Sequence, residues 1–333
     1  MDVSIATYNV WMMPNIVTMF TPSSSNISPC KRERSERIPA CLVRACKEVP
    51  DIICLQECFC DATADTLREA FRKMGLQHEV EPTRHWSCPV NSGLRIFSRL
   101  PIIRQECITY RNAIGSDKLA SKGAAYAKLA IAPSKGVDQP TSKKDAFLHI
   151  FMTHTQAWDD VPSVKVRMRQ FDELRAWIDS FAIPAHEAVV VCGDLNCDFW
   201  DAKMYLSMMQ RIRAVNFDEP NQVAQPPVDK DGAVSPTHAC SCGSGLGGVR
   251  ANEWVALGSA SSDGQSAPPK HLDYILFLEG HLQPTSAAVR TAFDCKCTDD
   301  NGFEYKHKRF HDLSDHYPVL GRFSLPQMKP ASG

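Results

Sequence analysis

The chain has 333 residues, 44% of them hydrophobic and 23% charged, so it can bury roughly three-quarters of its unfolded surface in a large core. That apolar share, with no glycine period, excludes a disordered or collagen-like chain. Thirty-seven Lys and Arg against 38 Asp and Glu leave a formal charge of -1, which supplies no general field for nucleic acid or acidic lipid.

Val3 to Val10 reads as a strand that starts almost at the first residue. A Ser/Pro loop at 21–30 and a charged helix from Lys31 to Glu48 follow, then a buried strand Asp51–Gln56 and a helix from Ala62 to Met74. Several strands are expected between about 77 and 132, and another over Ala146–Thr153. Val164 to Phe181 is the clearest helix, with Val164, Phe171, Leu174, Ile178 and Phe181 spaced as one buried stripe. Ala188 to Cys192 is too apolar to face water. Residues 218–270 are rich in Pro, Gly, Ser and Asp, which marks a functional loop or an insertion. Strands resume at His271–Leu278, near 285–292 and at Tyr317–Phe323. The pattern predicts one α/β domain over 1–325 with a long excursion at about 218–270 and a short tail at 326–333.

No apolar run approaches the roughly 18 residues of a spanning helix. No basic segment, apolar stretch and cleavage site open the sequence, so the expectation is a cytoplasmic or peripheral-membrane protein, secreted only if a signal has been removed. The 14 cysteines are too spread for a small disulfide scaffold. Cys54 and Cys192 lie in apolar strands, where a reduced core thiol is expected. The Cys-x-Cys pairs Cys58/Cys60, Cys240/Cys242 and Cys295/Cys297 are spaced more closely than common zinc motifs.

The polar residues of interest fall at the ends of the apolar strands. Tyr8-Asn9 closes the first, Gln56-Glu57 the second, Thr153-His154-Thr155-Gln156 a third and Gly193-Asp194-Leu195-Asn196 a fourth. Leu272-Asp273-Tyr274 opens a fifth, and Ser314-Asp315-His316 precedes the last. A sheet rim holds side chains rigidly while leaving them open to a ligand. Glu57, Asp194, Asp315, Asn9 and Asn196 offer oxygen to a hard cation such as Mg2+, while His154 and His316 can donate to phosphate or move protons. Any one of these alone is a turn or a surface pair.

In this order the six segments resemble the endonuclease/exonuclease/phosphatase superfamily, over residues 9 to 316. The resemblance implies an α/β fold of the DNase I type: a four-layer α-β-β-α sandwich of two facing mixed β-sheets with outer helices, cleaving phosphoesters with a metal. Asn9-Val10-Trp11-Met12-Met13-Pro14, Thr153 to Ala157 and Asp312 to Val319 are similar to motifs of the neutral sphingomyelinase branch. Asp117 and Lys122 resemble the aspartate–lysine pair with which some animal members switch the active site; the plain alternative for Lys122 is an exposed loop lysine.

The branch implies Mg2+, with Mn2+ or Co2+ as substitutes, and hydrolysis of sphingomyelin to ceramide and phosphocholine. Glu57 would anchor the ion with Asn9 and Asp315. His316 would take the proton of the attacking water, oriented by Asp273. Asp194 and Asn196 would position water or phosphate, His154 would donate to a non-bridging oxygen, and Lys122 would add positive charge. The implied partner is a phosphosphingolipid in a membrane surface, met by a monomer through apolar tips at Ile16, Phe20, Phe303 and Tyr305, with no nucleic acid expected. Thr237-His238 and Asn252-Glu253-Trp254 are the groups to watch in the long loop. Trp158 or Trp254 would serve a choline ammonium, though a core role is commoner. The competing expectations are another phosphoesterase of the same fold, such as an inositol-phosphosphingolipid or lysophospholipid phospholipase C or a DNase-like nuclease, and a catalytically inactive lipid-binding module.

Overall fold

The computed structural model describes residues 1–14, 28–131, 146–217, 270–292, 294–297, 302–305 and 308–326. Its first sheet runs, in spatial order, β11 (Ser286–Thr291), β14 (Val319–Ser324), β1 (Asp2–Met12), β2 (Ile52–Cys58), β4 (Arg95–Ser98) and β3 (His78–Val80). The second runs β5 (Ile102–Thr109), β6 (Gly123–Ile131), β7 (Ala146–His154), β8 (Ala188–Asp194), β10 (Asp273–Leu278) and β9 (Ala214–Asn216). Both sheets are mixed: β1–β2 and β7–β8 are parallel, while β1–β14 and β8–β10 are antiparallel. A hairpin of β12 (Phe303–Tyr305) and β13 (Lys308–Phe310) stands apart from them.

Three apolar layers explain why the central strands are apolar on both faces. Between the sheets, Val3 and Ile5 of β1 and Ile52 and Cys54 of β2 meet Ile150 and Met152 of β7, Val190 and Cys192 of β8 and Ile275 of β10. Outside the first sheet, Ala6, Tyr8, Ile53 and Leu55 pack on Ile38 and Leu42 of α1 (Lys31–Cys46) and on Leu67 and Phe71 of α2 (Asp61–Lys73). Outside the second, Tyr126, Phe151, Val189 and Val191 pack on Phe171, Leu174 and Ile178 of α3 (Val161–Asp179) and on Met208 and Ile212 of α4 (Ala202–Ile212). The result is the expected four-layer sandwich.

Local chemistry sets the helix starts. Asp160 accepts from the Ser163 amide at 3.1 Å and Pro162 occupies the first turn of α3, and Asp201 accepts from the Met204 amide at the start of α4. The buried stripe of α3 runs through Ser163, Val166, Arg167, Gln170, Phe171, Leu174 and Ile178, while Val164 and Phe181 are half-buried at its flanks. Helix α4, absent from the sequence expectations, buries Tyr205, Met208 and Ile212. Cys54 and Cys192 are buried, free thiols in the core between the sheets. Cys58 is buried in the first outer layer and Cys60 stands at the start of α2, both as free thiols. The 218–269 excursion, with Thr237, His238, Cys240, Cys242, Asn252, Glu253 and Trp254, lies outside the described residues.

Candidate active site at one rim of the sandwich

Strand register alone brings the polar ends together. In the second sheet His154 of β7 is level with Asp194 of β8, and Asp194 is level with Asp273 of β10. In the first, Asn9 of β1 is level with Gln56 of β2, and the segment leading into β14 carries Asp315 and His316. The sheets are joined across the rim by Asn9, whose Nδ2 donates to Asp194 Oδ2 at 3.0 Å. Asn9 Oδ1 accepts from the Trp11 amide at 3.0 Å, which leaves that oxygen one further lone pair.

Glycine is required at one point of this rim. Gly193 has φ +131°, and a Cβ there would stand 2.0 Å from the Thr153 carbonyl oxygen; β8 approaches β7 too closely for any side chain. Side-chain-bearing residues in the left-handed region also gather here: Trp11, Glu57, Trp158 and Asn196 have φ of 48°, 55°, 73° and 47°. Each costs of order 1 kcal/mol or more and persists only where its surroundings hold it.

His316 and Asp273 form the tightest pair, Nδ1 to Oδ2 at 2.7 Å, with Asp273 fully buried. A neutral imidazole that donates from Nδ1 keeps its lone pair on Nε2, and that atom lies 3.8 Å from Asp194 Oδ2. Asp194 also accepts from the Asn196 amide at 2.9 Å. Burial pushes the Asp194 carboxyl up, but His154, His316 and the Asn9 hydrogen bond outweigh it and hold the group below the ordinary range. Asn196 Nδ2 donates to the Thr155 carbonyl at 3.1 Å.

Lys122 is buried rather than an exposed loop lysine. Its Nζ reaches Asp117 Oδ2 at 2.8 Å, the Thr155 carbonyl at 2.7 Å and His154 Nε2 at 3.1 Å, so three donors meet three partners. With the ammonium charged, His154 Nε2 is the acceptor and the imidazole proton sits on Nδ1. That ring is neutral: burial and then the Lys122 charge push it down to about 4. His154 Nε2 also lies 3.5 Å from Asp194 Oδ2 and 3.8 Å from Glu57 Oε1. In this arrangement the nitrogen facing the site accepts, and donation to a ligand requires Lys122 to turn away from it.

Glu57 Oε2 is buried without a hydrogen-bond partner among the described residues. Burial, then the neighbouring Asp315 carboxyl, pushes the Glu57 carboxyl up to about 7, and burial likewise raises Asp315. Ser314 Oγ ties Asp315 to the Asn9 carbonyl. A buried carboxyl raised by its acidic neighbour, a second carboxyl raised by burial and an orphaned oxygen are what a hard cation would relieve, so the residues present fit such an ion. Asp194, Asp273 and His316 form a second group whose ligand atoms lie within 4.8 Å of one another, with His316 Nδ1 and Asp273 Oδ2 engaged with each other.

Two buried arginines that the sequence reading missed hold the rim. Arg34 spends its guanidinium on the carbonyls of Pro29, Val10, Leu313 and Trp11 and on Ser28 Oγ, at 2.8–2.9 Å. Arg167 takes the Gln156 and Trp158 carbonyls at 2.9 and 2.8 Å. For Arg167 the signal was present, a cation in the buried stripe of α3.

The membrane-facing expectations fare differently. Phe303 is buried, packed in the layer under α1 with the Arg37 guanidinium over its ring, so an exposed tip there is corrected: the ring completes the outer core. Ile16 and Phe20 lie outside the described residues, and Tyr305 is described only through its backbone pairing with Lys308. Trp158 is 65% exposed instead of core.

Fold and cluster together define a four-layer α/β sandwich with a carboxylate–histidine centre at one rim. The chain belongs to the endonuclease/exonuclease/phosphatase family, whose sequence model matches residues 6–316. It is similar to Sphingomyelinase C 2 of Leptospira interrogans, 26% identical over 340 residues, covering 96% of this chain and 46% of that one. Sphingomyelinase C of Bacillus cereus is 25% identical over 243 residues, covering 72% of this chain and 63% of that one; the chain thus spans about half to two-thirds of these relatives. A crystal structure of a Staphylococcus aureus beta toxin mutant with bound magnesium ions superposes with a TM-score of 0.72 at 18% identity, covering 97% of this chain and 100% of that one.

Proposed function

We propose that the protein is a Mg2+-dependent sphingomyelin phosphodiesterase of the phospholipase C type, releasing phosphocholine and leaving ceramide at a membrane surface. The observation that carries this reading is the single cluster built from both sheets, Asn9–Asp194–His316–Asp273 on one side and Glu57–His154–Lys122 on the other. Similarity to sphingomyelinases along most of the chain supports the substrate.

Glu57 and Asp315, with the remaining lone pair of Asn9 Oδ1, would hold the ion. When bound it supplies charge neutralisation at a phosphate oxygen. His316 Nε2 takes the proton of the attacking water, and Asp273 holds the ring in the right tautomer and supports the imidazolium. Asp194, kept ionised, and Asn196 orient that water against phosphorus. Lys122, held by Asp117, carries the positive charge at the edge that faces the phosphate, and the neutral His154 ring beside it donates to a non-bridging oxygen once Lys122 turns away from its Nε2.

The test is phosphocholine release from sphingomyelin in mixed detergent micelles, with Mg2+ or with EDTA, beside His316→Ala and Glu57→Ala. Release that needs Mg2+ and falls in both variants is the expected result. A folded wild type that releases none refutes the substrate; plasmid DNA and inositol phosphosphingolipid in the same buffer then identify the phosphoester it cleaves.

A further inference from the structure

Six large apolar side chains are more than half exposed among the described residues: Trp86, Ile103, Leu119, Trp158, Val161 and Leu206. Ile103 lies on β5 and Leu206 on α4. The other four fall on three segments, 83–93, 114–122 and 155–161, that are tied to one another beside the site. The His85 amide donates to Ser121 Oγ at 2.9 Å, and the Val90 amide donates to the Leu119 carbonyl at 3.2 Å. The Ala157 amide donates to Asp117 Oδ2 at 2.8 Å, and the Ile114 amide to Gln156 Oε1 at 3.0 Å. The middle segment ends at Lys122, 3.1 Å from His154.

Water-facing tryptophans need a reason, since their area is large and apolar. Trp86 is 91% exposed, and Trp158 is held at φ 73° with its carbonyl gripped by Arg167. The same segments and the start of α3 expose the cations Arg84, Lys118 and Lys165, while the nearby Asp159 is engaged by Arg167 and Lys270. Indole rings interleaved with cations match the boundary between acyl chains and phosphate headgroups.

We propose that Trp86, Leu119, Trp158 and Val161 form an interfacial surface that seats the mouth of the site on a choline-phospholipid bilayer, with Arg84, Lys118 and Lys165 meeting lipid phosphates. The inference rests on the sphingomyelinase reading, which requires a substrate phosphate drawn from a bilayer. It places membrane contact on these loops instead of on the buried Phe303.

The experiment measures flotation of the protein with large unilamellar phosphatidylcholine vesicles in EDTA, so that binding is read without turnover. Trp86→Ala/Leu119→Ser partitions at least about tenfold more weakly than wild type, given the apolar area removed, and adding Trp158→Ala weakens it further. Ile103→Ser, outside the surface, partitions as wild type does. Hydrolysis of water-soluble p-nitrophenyl phosphorylcholine by Trp86→Ala/Leu119→Ser stays at the wild-type rate, which shows that the variant is folded. Wild type that does not float, or a double variant that floats unchanged, overturns the surface. Wild type that floats but cleaves neither soluble ester nor sphingomyelin refutes the enzymatic reading and leaves the surface standing on its own measurement.

Discussion

Replacing Asp273 by Asn tests the His316–Asp273 pair without changing its volume. The carboxylate is buried and accepts from His316 Nδ1 at 2.7 Å. A charge-assisted hydrogen bond of this kind contributes about 1.5–3 kcal/mol, and each 1.36 kcal/mol is tenfold in rate, so losing support for the imidazolium costs roughly 10- to 150-fold. The amide adds a second loss: its NH2 can donate to Nδ1, which moves the ring proton to Nε2 and removes the base. The equivalent change in a serine protease triad costs about 10^4. The expected fall in kcat/KM is therefore about 10^2 to 10^4, with substrate binding little altered. Without the neighbouring negative charge His316 is harder to protonate, so the acidic limb of the pH profile moves to lower pH. The assay is kcat/KM on micellar sphingomyelin from pH 5 to 9 with saturating Mg2+. Activity within threefold of wild type, with an unmoved acidic limb, refutes the assignment of His316 as base and Asp273 as its orienter.

Three further outcomes follow from the geometry. With the Glu57 carboxyl near 7, Mg2+ must displace a proton below that value, and the ratio (1 + 10)/(1 + 0.1) makes calorimetric affinity about tenfold weaker at pH 6 than at pH 8; Glu57→Gln binds weakly at both. In the metal-free protein the sign is opposite: the raised carboxyl stabilises the fold fully below about pH 4.5, and that contribution is lost as pH rises through about 7, so the melting temperature of Glu57→Gln relative to wild type rises over that window. Arg34→Lys leaves several of five buried acceptors unmet and costs about 3–5 kcal/mol, read as a lower urea midpoint, whereas a shift under 0.5 kcal/mol contradicts the role of Arg34 at the rim. Lys122→Met removes a charge that holds His154 down, so the His154 titration followed by NMR moves upward from about 4; an unchanged midpoint contradicts the Lys122–His154 contact.

Much of the rim was legible because the fold hides strands on both faces. Continuous apolar runs ending in polar residues, such as Ala188–Asp194, can only be central strands whose last residues reach the edge. The alternation of those runs with helices gave the elements, and register then determined that His154, Asp194 and Asp273 share one line. What stayed hidden depends on tertiary contact. Phe303 reads as an amphipathic tip, yet α1 offers it a cover and the Arg37 guanidinium. Lys122 reads as a loop cation, and only the fold reveals three partners for its three protons. The left-handed backbone at Glu57 and Asn196 leaves no compositional trace. Helix α4 was in principle visible from Tyr205, Met208 and Ile212, but its apolar stripe is short and the pattern assigns no element between Asn196 and the excursion that begins at 218.

The most direct measurement runs sphingomyelin hydrolysis in 18O-labelled water with Mg2+ and weighs both products. If a water activated at this rim attacks phosphorus, one 18O appears in phosphocholine and none in ceramide. Label in the ceramide hydroxyl, or unlabelled phosphocholine, contradicts the account.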